Sequence, residues 1–265
     1  MTHVVFYSGG IGSWAAAKRV AAQYNPRDLI LLFTDTKSEH PDTYRFLRES
    51  AANVGGQLVE IADGRTIWEV FEDTHFLGNA RVDPCSRILK RELADRWLRE
   101  HFVYTEVTCY VGIDWTEVNR FERMAPRKLP YIFKAPLLTS PYLSKQQMHE
   151  WAAQEGLRKQ VLYELGAAHA NCGGGCIKMG QGGFAHLLQT LPDTFREWEE
   201  QEERLRAQLG NVAILRDRRG GTSRPLPLRE LRERLACGRE VDKFEIGGCG
   251  CFLDEGEMEK EKRRS

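Results

Sequence analysis

A glycine-rich stretch near the start of the chain carries residues that suit phosphate binding. It reads Ser8-Gly9-Gly10-Ile11-Gly12-Ser13, between an apolar run and an alanine-rich helical run. Glycines lack the Cβ atoms that would keep a ligand off the backbone, and serine hydroxyls are hydrogen-bond donors. A helix that begins here adds unpaired N–H groups and its positive dipole end. We therefore predict a phosphate or pyrophosphate site, with an ordinary tight turn as the alternative. It is not a Walker loop, because no Gly-Lys-Ser/Thr follows.

The cysteines are the second group that could do chemistry. Cys172 and Cys176 are separated by three glycines, and Cys249 and Cys251 form a second pair flanked by glycines. In a reducing compartment, cysteines indicate metal, cluster or redox chemistry rather than structural disulfides. Four thiolates suit zinc or an iron–sulfur cluster. A redox-active thiol pair and an inert loop are the alternatives.

Other candidate residues lie at predicted helix starts. Cys85 follows Asp-Pro in what reads as the first turn of a helix, where the dipole favours a thiolate; a buried core residue is the alternative. Gly112 ends a predicted strand and allows close backbone approach. Glu117 and Arg120 follow it and could grip a substrate, whereas a solvated helix start is the other interpretation.

Apolar runs that alternate with helical patterns must position these residues. The predicted strands cover residues 3–7, 29–34, 57–61, 107–113 and 131–138. The alternation predicts an α/β, doubly wound, mostly parallel five-stranded sheet with right-handed crossovers. Ligands bind beyond the carboxyl ends of such strands, where residues 8–13 and Asp35 both lie.

The character of the chain changes after residue 165. Residues 1–165 form the predicted nucleotide-binding domain, and residues 166–253 form a helical, Cys/Gly-rich extension that we expect to pack on the site. Residues 254–265 are a polar tail, expected to be frayed. The extension holds eight arginines against four acids between residues 216 and 240. That stretch could contact a phosphate backbone, with a solvated amphipathic helix as the alternative.

Composition excludes several classes of protein. The formal net charge is zero, so the chain as a whole does not attract nucleic acid. No apolar run approaches the ~20 residues of a membrane span. The first predicted strand begins almost at Met1, so we expect no signal peptide and a cytoplasmic protein.

The glycine-rich stretch resembles the PP-loop of the ATP-pyrophosphatase superfamily. Further segments, in the same order along the chain, resemble its phosphoadenosine phosphosulfate (PAPS) reductase-like branch. They are Asp35-Thr36 with residues 40–44, residues 85–90, Gly112 with Glu117 and Arg120, and residues 135–137. Gly12 departs from the pattern, because it stands where the superfamily has an aspartate. The catalytic Glu-Cys-Gly-Leu-His segment of the sulfonucleotide reductases is not found in this sequence.

The resemblance implies roles for individual residues. The implied nucleotide-binding residues are Ser8, Gly9, Gly10, Gly12, Ser13, Asp35, Thr36 and Gly112. The implied catalytic residues are Arg87, Lys90, Glu117 and Arg120. By analogy with the related reductases, Cys85, Cys172 and Cys176 are ligands of a [4Fe–4S] cluster, with Cys249 or Cys251 as the fourth; zinc is the alternative.

The implied activity is activation of a substrate by adenylation with release of pyrophosphate. Sulfur transfer of the tRNA or DNA thiolation type would follow, with ATP, Mg²⁺ and the cluster as cofactors and a sulfur-donor protein as partner. A sulfonucleotide reductase is one alternative. A non-catalytic, nucleotide-binding iron–sulfur sensor or subunit is another, and a homodimer is compatible with each.

Overall fold

The structure is a computed structural model that describes residues 1–239 and 241–242. Cys249, Cys251 and the predicted polar tail at residues 254–265 lie outside the described residues.

A five-stranded parallel sheet forms the centre of the fold. Its strands are β1 (Thr2–Phe6), β2 (Leu29–Asp35), β3 (Gln57–Ala62), β4 (Val107–Val111) and β5 (Ile132–Lys134). Their spatial order is β3-β2-β1-β4-β5. The predicted doubly wound α/β class is confirmed, and the sheet is wholly rather than mostly parallel. Strands β2 and β3 extend the sheet on one side of β1, and β4 and β5 extend it on the other side. The topological switch point therefore lies between β1 and β4.

Helices cover the two faces of the sheet and form the C-terminal part. They are α1 (Ile11–Ala21), α2 (Pro41–Val54), α3 (Ile67–Asp73), α4 (Pro84–Ser86), α5 (Leu93–His101), α6 (Val118–Met124), α7 (Lys145–Gln154), α8 (Val161–Glu164), α9 (Gln181–Thr190), α10 (Pro192–Leu209) and α11 (Leu228–Ala236). A π-helical turn, Arg87–Glu92, joins α4 to α5. Such turns often occur at functional sites.

Local signals in the sequence explain several helix ends. Ser144 forms a capping box with Gln147 at the start of α7. Gly55, at φ 84°, ends α2 in the left-handed conformation that glycine adopts easily. Asp83 precedes α4 as expected, but its side chain does not cap the helix. The carboxylate instead pairs with Arg91 at 3.3 Å and with Lys178 at 3.4 Å, because a buried anion is stabilised by nearby cations.

The C-terminal helices share one apolar core with earlier segments. Phe184, Phe195 and Trp198 pack in the same buried cluster as Phe71 and Leu89. The predicted helical extension is observed as α9 to α11, with a small antiparallel pair of strands, β6 (Leu215–Asp217) and β7 (Arg224–Leu226). The division at residue 165 stays a prediction.

The arginine-rich stretch lies in this extension. Asp217 accepts from Arg219 at 2.9 Å and from the buried Arg234 at 2.8 Å, and Glu199 accepts from Arg232 at 2.7 Å. Two further arginines of the stretch pair with carboxylates, namely Arg224 and Arg229. These side chains stabilise the extension, which leaves less of the arginine charge for a phosphate backbone than the composition indicates.

Within residues 1–239 and 241–242, no helix combines the length and apolar character that crossing a membrane requires.

Candidate functional site

A cleft opens at the switch point, beyond the carboxyl ends of β1, β2 and β4. Apolar side chains from the strand ends form part of its wall, among them Phe6, Phe33 and Val111. The loop at residues 8–13 and the loop after β4 form the polar part. An apolar wall beside open backbone groups suits a ligand that has both a ring system and an anionic group.

The first turn of α1 contributes main-chain donors to the cleft. The helix begins at Ile11, with Gly10 as its N-cap, no side-chain cap and no acidic residue in its first turn. Ser13 Oγ donates to the Gly10 carbonyl at 2.8 Å, and Ser8 Oγ lies 3.4 Å from Ser13 Oγ. Because the first amides of a helix have no intrahelical acceptor, this turn favours an anion.

Gly12 and Gly112 pack the two loops tightly against each other. A Cβ on Gly112 would lie 2.7 Å from the backbone of Gly12 and Ser13. A Cβ on Gly12 would lie 3.0 Å from the Gly112 carbonyl oxygen. A side chain at position 12 would therefore be in tight contact with the loop after β4.

Arg120 lines the cleft, and one N–H group of its side chain has no hydrogen-bond acceptor among the described residues. Its Nη1 donates to Glu117 Oε1 at 2.8 Å, while its buried Nε has no partner among the described residues. A buried N–H without an acceptor costs free energy. Arg120 and Glu117, both predicted from the sequence, line the cleft together with Gly112.

Residues 145–171 add polar groups that the sequence did not single out. Lys145, Tyr163, His169 and Asn171 line the cleft, and Lys145 Nζ donates to the Ala168 carbonyl at 3.1 Å. They come from α7, α8 and the following loop, far from the glycine-rich stretch in the chain. Nothing in their spacing indicates a site.

Lys90 lies where the cleft meets a smaller cavity, and it lines both. It is buried, and its Nζ is 3.5 Å from Glu39 Oε1. Glu39 also accepts from Thr36 Oγ1 at 3.2 Å and from the Cys172 N–H at 2.6 Å. Glu39 thus links the end of β2, the π-helical turn and the cysteine loop, a role that its position in the sequence does not reveal.

Three of the predicted nucleotide-binding residues do not line the cleft. Gly9, at φ 72°, packs against α2. Asp35 accepts from Lys37 Nζ at 2.8 Å, from the Tyr44 hydroxyl at 2.7 Å and from the Lys37 N–H at 2.8 Å. Burial opposes its ionisation, but these hydrogen bonds hold the pKa of Asp35 below its ordinary value. Thr36 lines the smaller cavity instead.

Arg87 also lies away from the cleft. It is on the exposed side of the π-helical turn and donates to Glu92 Oε1 at 2.7 Å. Within this one turn, Lys90 is therefore buried, whereas the side chain of Arg87 is directed towards solvent. The structure does not bring Arg87 to the other predicted catalytic residues.

The smaller cavity brings together Cys85, Cys172 and Cys176, with Lys90 and Lys178 beside them. Its volume is about 20 Å³, room for about one water molecule. Cys172 and Cys176 are hydrogen-bonded to each other. That hydrogen bond and burial raise the pKa of Cys172 well above its ordinary value, against the opposing charge of Lys90.

The cysteines of the described residues do not by themselves form a site for a [4Fe–4S] cluster or a zinc ion. Among the described residues, no group of three or more His, Cys, Asp or Glu side chains could hold a metal ion. The cavity is too small for a cluster, and two lysines adjoin it. The proposed fourth ligands, Cys249 and Cys251, lie outside the described residues.

Two solved structures are similar to the chain at low sequence identity. One is a phosphoadenylyl-sulfate (PAPS) reductase from Candida auris in a phosphate complex, with 16% identity, a TM-score of 0.42, and coverage of 62% of this chain and 78% of that chain. The other is an NH3-dependent NAD synthetase from Campylobacter jejuni in complex with nitrate, with 13% identity, a TM-score of 0.41, and coverage of 78% and 83%. No protein-family model and no curated protein matches the chain.

Proposed function

We propose that the cleft binds an adenine nucleotide, with its phosphates at the first turn of α1 and its base against the apolar strand ends. The observation that carries this proposal is the uncapped start of α1 at the switch point, beside a buried Arg120 Nε that has no acceptor among the described residues. A phosphate oxygen supplies the acceptor that these N–H groups lack. The resemblance of residues 8–13 to the PP-loop supports the same assignment.

We further propose an enzyme that activates its substrate by adenylation for sulfur transfer. A substrate oxygen attacks the α-phosphorus, the bond to the bridging oxygen breaks, and pyrophosphate leaves. A sulfur nucleophile then displaces AMP from the activated carbon. Arg120 and Lys90, both at the cleft, would stabilise negative charge that develops on the leaving group.

Two carboxylates that line the cleft, Asp114 and Glu117, are of the type that would hold a magnesium ion there. Such an ion neutralises phosphate charge. Asp114 Oδ1 accepts from the Thr116 amide at 2.9 Å, which holds the carboxylate in place.

Isothermal titration calorimetry with ATP and Mg²⁺ tests the binding, and a pyrophosphate-release assay with added tRNA or DNA tests the reaction. Arg120→Ala should weaken ATP binding at least about tenfold, because a charge-assisted hydrogen bond contributes about 1.5–3 kcal/mol. Arg123→Ala is the matched control, since this exposed arginine of the same helix does not line the cleft. Equal effects of the two variants, or no binding by the unmodified chain, would contradict the proposal.

A sulfonucleotide reductase is the second candidate, and the packing at Gly12 favours it. Position 12 lacks the carboxylate that the PP-loop pattern carries, and a Cβ there would lie 3.0 Å from the Gly112 carbonyl oxygen. Reduction of a sulfonucleotide does not require pyrophosphate to leave. Thiol-dependent release of sulfite from adenylyl sulfate would establish this reaction. ATP binding without release of either pyrophosphate or sulfite would favour the non-catalytic nucleotide sensor.

A further inference from the structure

The glycine loop brings two thiols to one small cavity beside the cleft. Cys172 and Cys176 are both free thiols. Three glycines separate them, and the two sulfurs share one cavity with Cys85. Because the loop returns on itself over so few residues, its two ends remain adjacent.

Packing, rather than free motion of the glycines, fixes this loop. Cys172 adopts φ 52°, a left-handed conformation uncommon for a residue with a side chain, and its N–H donates to Glu39 at 2.6 Å. A Cβ on Gly175 would lie 2.4 Å from the Trp198 ring, so the backbone packs directly on α10. Backbone strain held by surrounding contacts often occurs at functional sites.

The two sulfurs differ in access. Cys172 is 9% exposed, whereas Cys176 is partly exposed and its sulfur accepts from the Lys178 N–H at 3.5 Å. One thiol can therefore meet an outside reactant, while the other lies behind it. Thiol–disulfide exchange depends on access to the attacking sulfur, and Cys176 is the more accessible of the two.

We propose that Cys172 and Cys176 are a redox-active dithiol that forms a reversible disulfide by exchange with a small-molecule disulfide. The Cys176 sulfur attacks one sulfur of the small molecule, breaks its S–S bond and releases one thiol. The Cys172 sulfur then attacks the Cys176 sulfur, breaks the mixed disulfide and releases the second thiol. Two protein thiols are oxidised, one external disulfide is reduced to two thiols, and the two protons pass to the released thiols.

Peptide mapping of the full chain tests this proposal. Trypsin should release residues 160–178 as one peptide that contains both cysteines and no others. The protein is purified anaerobically, treated with oxidised glutathione, alkylated and digested. We expect this peptide to lose two hydrogens in mass and to escape alkylation, and we expect dithiothreitol to reverse both changes.

Cysteine-to-serine variants distinguish the attacking thiol from the resolving thiol. In Cys172→Ser, the mixed disulfide with glutathione should accumulate on Cys176, at least about tenfold above its level in the unmodified chain, because the resolving thiol is gone. Cys109→Ser is the control, since Cys109 lies inside β4, and it should leave the reaction unchanged. The mapping of the unmodified chain stands even if a variant does not fold.

Three results would overturn the proposal. One is a peptide alkylated at both cysteines after the oxidant. Another is a cross-link from either cysteine to a different one. The third is stoichiometric iron or zinc in the purified protein that Cys176→Ser removes. None of these results bears on nucleotide binding, so the proposed function stands or fails separately.

Discussion

Gly112→Ala is the substitution that most directly perturbs the proposed phosphate site. The new methyl group would lie 2.7 Å from three backbone atoms of Gly12 and Ser13, none of which is the end of a flexible side chain. The loop must therefore move, at a cost of about 1–3 kcal/mol for overpacking. A shift of the first turn of α1 should also misalign at least one N–H aimed at the phosphates.

Losing one hydrogen bond to a charged group costs about 1.5–3 kcal/mol, and about 1.4 kcal/mol corresponds to a factor of ten in affinity. ATP affinity in Gly112→Ala should therefore fall about 10- to 100-fold, as measured by isothermal titration calorimetry. The free energy of unfolding, measured with urea, should fall by about 1–3 kcal/mol. Both changes have the same cause, the displaced loop.

Gly12→Ala is a milder substitution at the same loop contact and serves as the comparison for Gly112→Ala. Its methyl group would meet one backbone atom closely, the Gly112 carbonyl oxygen at 3.0 Å, so both losses should be smaller than in Gly112→Ala. If Gly112→Ala binds ATP and unfolds like the unmodified chain, the close approach of the two loops is refuted. If the unmodified chain binds no nucleotide, the proposed function fails while the stability comparison remains valid.

Three further predictions concern the C-terminal part. Burial raises the pKa of Glu202 to about 7, above its unfolded value, so the folded chain binds this proton more tightly and stability falls as the pH rises through that window. The free energy of unfolding, measured with urea, should fall between about pH 5 and about pH 8 by about 2–3 kcal/mol less in Glu202→Gln than in the unmodified chain. An unchanged pH dependence would contradict the burial argument. Asp217→Asn removes the shared partner of several arginines and should lower the unfolding free energy at neutral pH by about 3 kcal/mol. The control, Asp193→Asn, breaks only an exposed pair and should cost less than about 1 kcal/mol; equal losses would refute the difference. Gly175→Ala should lower the thermal midpoint by overpacking Trp198, and failure of Trp198→Phe to restore part of it would show that the ring is not the obstacle.

Much of the core could be predicted from local pattern. The five predicted strands all appear. The inner strands β1, β2 and β4 are visible as continuous apolar runs because both faces of the sheet are covered there, whereas the edge strands β3 and β5 are less buried. The start of α7 can be predicted from Ser144, because serine is a residue type favoured at helix N-caps. The short helix α3 was missed, although Thr66 and Glu69 form a capping box at its start. Its short length leaves little periodicity to detect.

The cysteine loop shows how local pattern can mislead. Three consecutive glycines predict flexibility, since nothing in the sequence reports what packs on them. The structure places Trp198 against Gly175 and a carboxylate on the Cys172 amide. Both partners come from distant parts of the chain, so the loop is held in place by contacts that no local pattern contains.

Local patterns in the chain are enough to predict the alternation of strands and helices, the glycine-rich turn at the start of α1, and the position of Gly112 at the same edge of the sheet. These features depend on periodicity and on residues a few positions apart. Only the tertiary structure decided that Lys90 turns inward while Arg87 turns outward, that Glu39 joins three segments, and that Arg120 keeps a buried donor without an acceptor among the described residues. The contacts of Glu39 with Lys90 and with the Cys172 N–H join residues far apart in the chain, and burial and charge pairing select them only once the sheet has brought those segments together.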